Sequence, residues 1–299
     1  AMGGHPQDDD FANVRLQEKS IVPIPKIHME WDEASCGQLV WLYNEAISHF
    51  SGQTEALFAA MTRPDRQPEP GIAPGRALRI ASLDLGGGTT DMAIAQYQLD
   101  DGIGGNVKIT PQLLFREGFK IAGDDVLLDI IQRCVLPALQ TQLQKSGVAD
   151  AQALMATLFG DSGRLDTQAV LRQQTTLQLF MPIGHAILAA WEQSDPQDPL
   201  AGLHATFGEL LNQAVEHALP AGSAPFDLLA VPLEVTFSRL QEAMLAGEFT
   251  LAGPLHALCE AISHYACDVL LITGRPGCLP GIQALIRYLQ PVPVNRMVW

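Results

Sequence analysis

The sequence predicts an α/β fold, on three observations. Compact apolar runs recur at 78–83, 91–99 and 107–115, with turn residues between them. Stripes of helical period stand on both sides of those runs; Ala34, Leu39, Val40, Leu42, Tyr43, Ala46 and Ile47 are mostly spaced to form the first. A further strand-type run, 268–272, returns near the C-terminus between two more helical patterns. With 299 residues, 47% of them hydrophobic, the chain can bury a substantial core as one large domain or two smaller ones.

Residues 1–30 are polar, then broken by Pro23 and Pro25, and read as a tail. Asp32 and Glu33 suit a helix start through capping and the helix dipole. The spacing predicts a helix over 32–50 and a shorter one over 55–61. Pro64, Pro68, Pro70 and Pro74, with Gly71 and Gly75, make 63–76 a loop or linker. The three apolar runs that follow predict an antiparallel meander. A helix is expected from Gly123, with Val126, Leu127, Ile130, Ile131 and Val135 inward and Pro137 bending or ending it. Residues 146–220 read as helical and 228–235 as a strand. Helices are expected over 237–245, 254–267 and 282–289, with a loop over 274–281.

The net charge is −15, with 33 acidic against 18 basic residues and no Lys/Arg cluster. Nucleic acid is therefore not an expected partner, because phosphate contacts need a basic surface. No apolar run approaches the ~20 residues of a membrane span, so no membrane insertion is expected. The start, Ala1-Met2-Gly3-Gly4-His5, lacks the pattern of a signal peptide. Five cysteines without paired spacing suggest a reducing, cytoplasmic setting.

The strongest chemistry lies at 84–91. A strand delivers Asp84, Gly86, Gly87 and Gly88 turn the chain, Thr89 and Thr90 follow, and a second strand leaves from Asp91. Glycines lack Cβ, so a phosphate can approach their N–H groups and the chain can take positive φ. Thr89 and Thr90 add hydroxyl donors. Asp84 and Asp91 flank the turn, where they could face a hydrated magnesium ion, which prefers a few carboxylates plus retained waters. No P-loop signature is present, and the pattern is strand–turn–strand. The plain structural alternative is a glycine-rich hairpin with two solvated aspartates.

Two lesser candidates stand elsewhere. His256, Cys259, Glu260, His264 and Cys267 share one helical segment at spacings that could bind zinc, although a core-facing stripe explains most of them. His185 has apolar neighbours and no acidic partner in sequence, and reads as a packed histidine.

The 84–91 segment resembles the second phosphate motif of the actin/Hsp70-type ATPases. Glu33-Ala34-Ser35 is similar to the first hinge helix of that superfamily, without its proline. Gly123-Asp124-Asp125-Val126 resembles the start of its next subdomain. Ile272-Thr273-Gly274-Arg275-Pro276-Gly277-Cys278-Leu279-Pro280-Gly281-Ile282 resembles its adenosine motif, a strand, a turn and then a helix, with Arg275 where relatives carry a second glycine. The run 273–283, with Gln290-Pro291-Val292-Pro293-Val294-Asn295-Arg296, is similar to the bacterial SrfB-type virulence factors.

The resemblance spans residues 32–299 and implies an RNase-H-like lobe with an inserted, mainly helical subdomain. In that scheme 1–77 is tail, hinge-type helix and Pro-rich linker. Residues 78–119 and 244–299 are the nucleotide-binding core, and 120–243 is the insertion. ATP and magnesium would be the cofactors. Gly86, Gly87, Gly88, Thr89 and Thr90 would hold phosphates and Gly274 and Arg275 would border the adenosine. Asp84 and Asp91 would position magnesium through water and orient the attacking water. The superfamily's first phosphate loop is not found in residues 1–31, and Asp161-Ser162-Gly163 has its letters without a leading strand. The chain is thus expected to be the C-terminal part of a larger protein, incomplete as a cleft without an N-terminal lobe, with other protein partners besides. The alternative is a catalytically inert actin-like scaffold for partner binding or assembly, which Arg275 and the missing loop motivate. A sugar-kinase-like lobe lacks a visible sugar-contact motif.

Overall fold

The computed structural model describes residues 33–67, 69–101, 107–159, 167–198, 200–211 and 226–299. The expected tail over 1–30, the Asp161-Ser162-Gly163 segment and the end of the 146–220 stretch lie outside the described residues.

Glu33–Asn44 forms α1 and Thr54–Met61 forms α2, with a π-helical turn, Glu45–His49, between them. Three strands follow: β1 (Ala77–Leu85), β2 (Thr90–Asp101) and β3 (Val107–Phe119). They pair antiparallel in sequence order, the expected meander. Next come α3 (Gly123–Ile130), α4 (Leu136–Lys145), α5 (Ala151–Phe159), α6 (Thr167–Thr175) and α7 (Met181–Glu192). The chain then forms β4 (Gly202–Thr206), α8 (Phe207–Leu210), β5 (Pro232–Thr236), α9 (Phe237–Leu245) and α10 (Ala252–His264). β6 (Val269–Thr273), α11 (Pro280–Leu289) and β7 (Met297–Val298) complete it.

Pro137 does not end the helical run, which continues through it to Lys145. A proline has no N–H for the carbonyl four residues back, and its ring crowds that carbonyl. The chain answers with a π-helical turn over Ile131–Val135, wide enough to free the carbonyl of Arg133. Pro182 repeats the device, two residues after the π-helical turn Thr176–Phe180.

The main sheet has the order β3-β2-β1-β6-β7. β6 runs parallel to β1 and β7 parallel to β6, so β2 alone opposes the rest. Alternate residues feed two cores, as the period of a strand requires. Leu78, Ile80, Tyr97, Leu99, Val269 and Leu271 face α1 and α2, where they meet Leu42, Leu57 and Phe58. Ala81, Leu83, Leu85, Met92, Ile94, Leu270 and Ile272 face the other way, into the larger core built with α3, α7, α9, α10 and α11. The fold is mixed α/β, with a mixed sheet and helices on both of its faces.

One element departs from the expected pattern. β4 lies inside the stretch expected to be helical, and pairs antiparallel with β5 in a separate two-stranded sheet. Its sequence, Gly-Leu-His-Ala-Thr, carries little alternation; β5, with Leu233 and Val235 buried between exposed residues, supplies the partner that decides it. The 63–76 loop is firmly held. Buried Asp268 accepts the N–H groups of Arg63 at 2.7 Å and Arg79 at 2.8 Å and the Arg66 Nε at 3.2 Å. Glu69 in turn accepts from Gln96 at 2.7 Å and pairs with Arg79.

Candidate functional site

The site begins with register. Leu85 pairs with Thr90 and Asp84 with Asp91, so the chain reverses over Gly86–Thr89 at the end of β1 and the start of β2. The Gly86 N–H donates to the Thr89 carbonyl at 2.9 Å and closes the turn. Its tip is clipped to the start of α3: the Gly123 N–H donates to the Gly86 carbonyl at 3.1 Å and the Asp124 N–H to the Gly87 carbonyl at 2.7 Å. Asp125 accepts the Ala122 N–H at 2.8 Å, which caps the same helix end. The N–H groups of Gly87, Gly88 and Thr89 find no acceptor among the described residues.

Asp84 and Asp91 stand side by side at the carboxyl end of β1. Asp84 also lies level with Thr273 of the parallel strand β6, whose hydroxyl donates to Asp84 Oδ1 at 2.9 Å. Asp91 lies level with Gly118 of β3, and a Cβ there would stand 2.6 Å from Asp91 Oδ1. The rung next to them on the same face is closed by Gln38 of α1. Its amide donates to Ser82 Oγ at 2.8 Å and the Ala93 carbonyl at 2.9 Å, and accepts from Tyr97 at 3.0 Å.

The second turn, after β6, packs directly against this one. Gly274 has φ +85°, and a Cβ there would lie 2.0 Å from the Leu85 carbonyl oxygen. Only glycine fits that backbone. Arg275 and Pro276 follow in a short 3₁₀ turn. Arg275 points outward, and its Nε stands 3.3 Å from Glu192 Oε2 on α7.

These elements surround one cleft of about 670 Å³. Asp84, Gly86, Gly87, Thr89, Asp91, Gly274 and Arg275 all line it, residues brought together from 84–91 and 274–275. Two residues of the expected set do not. Gly88 is exposed at the turn outside the lining. Thr90 is buried, and its hydroxyl donates to the Ile121 carbonyl at 2.7 Å, so it fastens the hairpin to the chain before α3 and presents no donor to the cleft. None of Gly86, Gly87 and Gly88 takes positive φ; in this site that conformation belongs to Gly274.

Sequence reasoning missed the helical wall. His185, Leu188, Ala189 and Glu192 line the cleft from α7, and Asp124 lines it from α3. His185 is exposed, not packed. The i, i+3, i+4, i+7 spacing of the α7 four was a signal, hidden because apolar residues occupy the opposite face as well. The 256–267 cluster forms no metal site: no group of three or more His, Cys, Asp or Glu among the described residues is placed to hold a metal. Cys259 and Cys267 are core residues, and burial pushes both thiols up to about 12.

A polyphosphate with magnesium suits this donor set. Unsatisfied N–H groups line a backbone turn, and a carboxylate pair stands at its base. Two carboxylates make no closed cage; they suit a hard cation that keeps its waters and takes further oxygens from a phosphate.

No curated protein matches the sequence. No helix among the described residues is long and apolar enough to cross a membrane. The family model described as Virulence factor SrfB matches residues 1–299, and the chain therefore belongs to that virulence-associated bacterial family.

Proposed function

We propose that this chain forms one wall of a magnesium–nucleotide cleft in an actin/Hsp70-like, RNase-H-like ATP-binding protein of the SrfB family. The observation that carries the reading is the register of Asp84 opposite Asp91, at the base of a turn whose free N–H groups share a cleft with the Gly274–Arg275 turn. The sheet order, with β2 alone running against its neighbours and helices on both faces, supports the RNase-H-like part. Ligand crevices in such sheets lie beyond the carboxyl ends of parallel strands, which is where β1 and β6 deliver Asp84 and Thr273.

In this reading the N–H groups of Gly87 and Thr89, which line the cleft, would face the terminal phosphates. Asp84 and Asp91 would hold magnesium through its waters, and Thr273 fixes the orientation of Asp84. Magnesium would supply charge neutralisation on the phosphate oxygens. The protein's own task is positioning and electrostatic complementarity, the larger part of phosphoryl-transfer catalysis. The domain division is 1–77, the core 78–119 with 244–299, and the insertion 120–243. An opposing lobe with the first phosphate loop completes the cleft, so this chain alone binds weakly and turns ATP over negligibly. Calorimetric titration of the 299-residue chain with ATP, with and without magnesium, tests the reading. Weak binding that requires magnesium supports it; no binding by either form sinks it.

A second reading, an inert actin-like scaffold, gains from one contact. The Arg275–Glu192 pair spans the cleft rim between α7 and the purine-side turn, and a guanidinium held there narrows the entrance. If it obstructs, Arg275→Gly tightens nucleotide binding; if it stacks on a base, the same change weakens binding by about 0.5–2 kcal/mol.

A further inference from the structure

The start of α3 does more than clip the phosphate-type turn. Asp124 gives its N–H to the Gly87 carbonyl, and its exposed side chain turns back over the same tip. A Cβ on Gly87 would lie 3.8 Å from Asp124 Oδ1, and one on Gly88 4.0 Å from Oδ2. No other heavy atom among the described residues, chain neighbours aside, comes within 4 Å of either position. A carboxylate therefore stands within about 4 Å of where a side chain on either glycine would begin, beside a turn whose N–H groups have no acceptor among the described residues. Asp84 and Asp91 sit at the base of the turn; Asp124 sits at its tip.

Resting on the nucleotide reading above, we propose that Asp124 makes the cleft selective for a metal-complexed polyphosphate over the free anion. A fixed carboxylate disfavours another anion within about 4–6 Å. A divalent cation on the phosphate chain removes most of that repulsion. Selectivity thus arises from a penalty on the wrong ligand form, and needs no direct bond between Asp124 and the metal. Because Asp124 is exposed, solvent and salt moderate the effect, and a factor of about ten between the two forms is the expected scale.

The test uses ATP with magnesium and ATP with EDTA, titrated into the 299-residue chain and into Asp124→Asn. This variant keeps the backbone bond to Gly87; Asp124→Ser serves as a second uncharged variant should the first fold poorly. In the wild type, free ATP is expected to bind at least about tenfold more weakly than the magnesium complex. In Asp124→Asn that ratio falls to within about threefold, by tighter binding of free ATP, while magnesium–ATP affinity moves little. An unchanged ratio overturns the proposal. So does weaker magnesium–ATP binding with free ATP unaffected, which would make Asp124 a metal ligand. If neither form binds the wild type, the nucleotide reading itself has failed and the proposal falls with it.

Discussion

Asp84 and Asp91 are directly opposed across the β1–β2 ladder and lean toward opposite neighbours, Asp84 onto the Thr273 hydroxyl and Asp91 over Gly118. Opposed residues of an antiparallel pair have Cβ atoms roughly 4.5–5.5 Å apart, and like charges there are destabilising. A hydroxyl on one side and a missing side chain on the other let the carboxylates splay.

The first expectation follows from that repulsion. Without metal, Asp91→Asn removes one of two like charges and should stabilise the fold by about 0.2–1 kcal/mol. Thermal melts in EDTA check it. A fall in melting temperature would mean that the pair is already offset by groups other than an ion.

The glycines of the site should separate into two classes. Gly274→Ala forces a side chain onto φ +85° and within 2.0 Å of the Leu85 oxygen, so it should cost well over about 1–3 kcal/mol or prevent folding. Gly87→Ala meets only the Asp124 carboxylate at 3.8 Å and should leave stability within about 0.5 kcal/mol of wild type. Urea denaturation of both variants decides this. Equal losses would contradict the backbone described for the two turns.

Asp268 should be a stability residue with no part in binding. It is buried, and burial pushes its carboxyl up, while the Arg63 and Arg79 N–H groups and Arg66 pull the other way. Asp268→Ala leaves two buried N–H groups and a guanidinium without their acceptor, and should cost about 3–5 kcal/mol. Loss of cooperative unfolding at 25 °C would agree; a near-neutral change would show that the 63–76 loop is not anchored through this residue.

Stability should also fall in alkali for a stated reason. Burial raises the thiols of Cys134 to about 11 and of Cys259 and Cys267 to about 12, against 9.0 for a free thiol. Each binds its proton more tightly folded than unfolded. That contribution is whole below pH 9.0 and is lost as pH climbs toward 12. Cys259→Ala should flatten the fall by up to about 1.4 kcal/mol per pH unit over that range, read from denaturation at several pH values. An unchanged slope would contradict the assignment.

The helices at 33–61, the meander and the carboxylate turn were legible because local pattern and tertiary role agree there. Asp84 and Asp91 bracket a turn whose glycines and threonines announce it, and register then does the rest. Gly274 was legible as a turn, but its close approach to Leu85 depends on β6 lying beside β1. Thr90 misled because adjacent threonines look alike in sequence, whereas the strand sends one to solvent and the other beneath Ile121. His185 misled because an apolar neighbourhood in sequence suggested packing, while the face it shares with Glu192 opens on the cleft. β4 was not legible at all, since its partner lies more than two dozen residues away.

The most direct test of the cleft is one paired titration. Wild type and Asp84→Asn/Asp91→Asn are titrated with ATP at fixed magnesium and then with ATP in EDTA, with thermal melts to confirm that both proteins are folded. The expected result is weak wild-type binding that depends on magnesium, and a double variant that binds magnesium–ATP more weakly and keeps only the part of the magnesium dependence that Asp124 sets, while its melting temperature is equal or higher. Equal affinities in the two proteins under both conditions would contradict the carboxylate pair as the magnesium-positioning element.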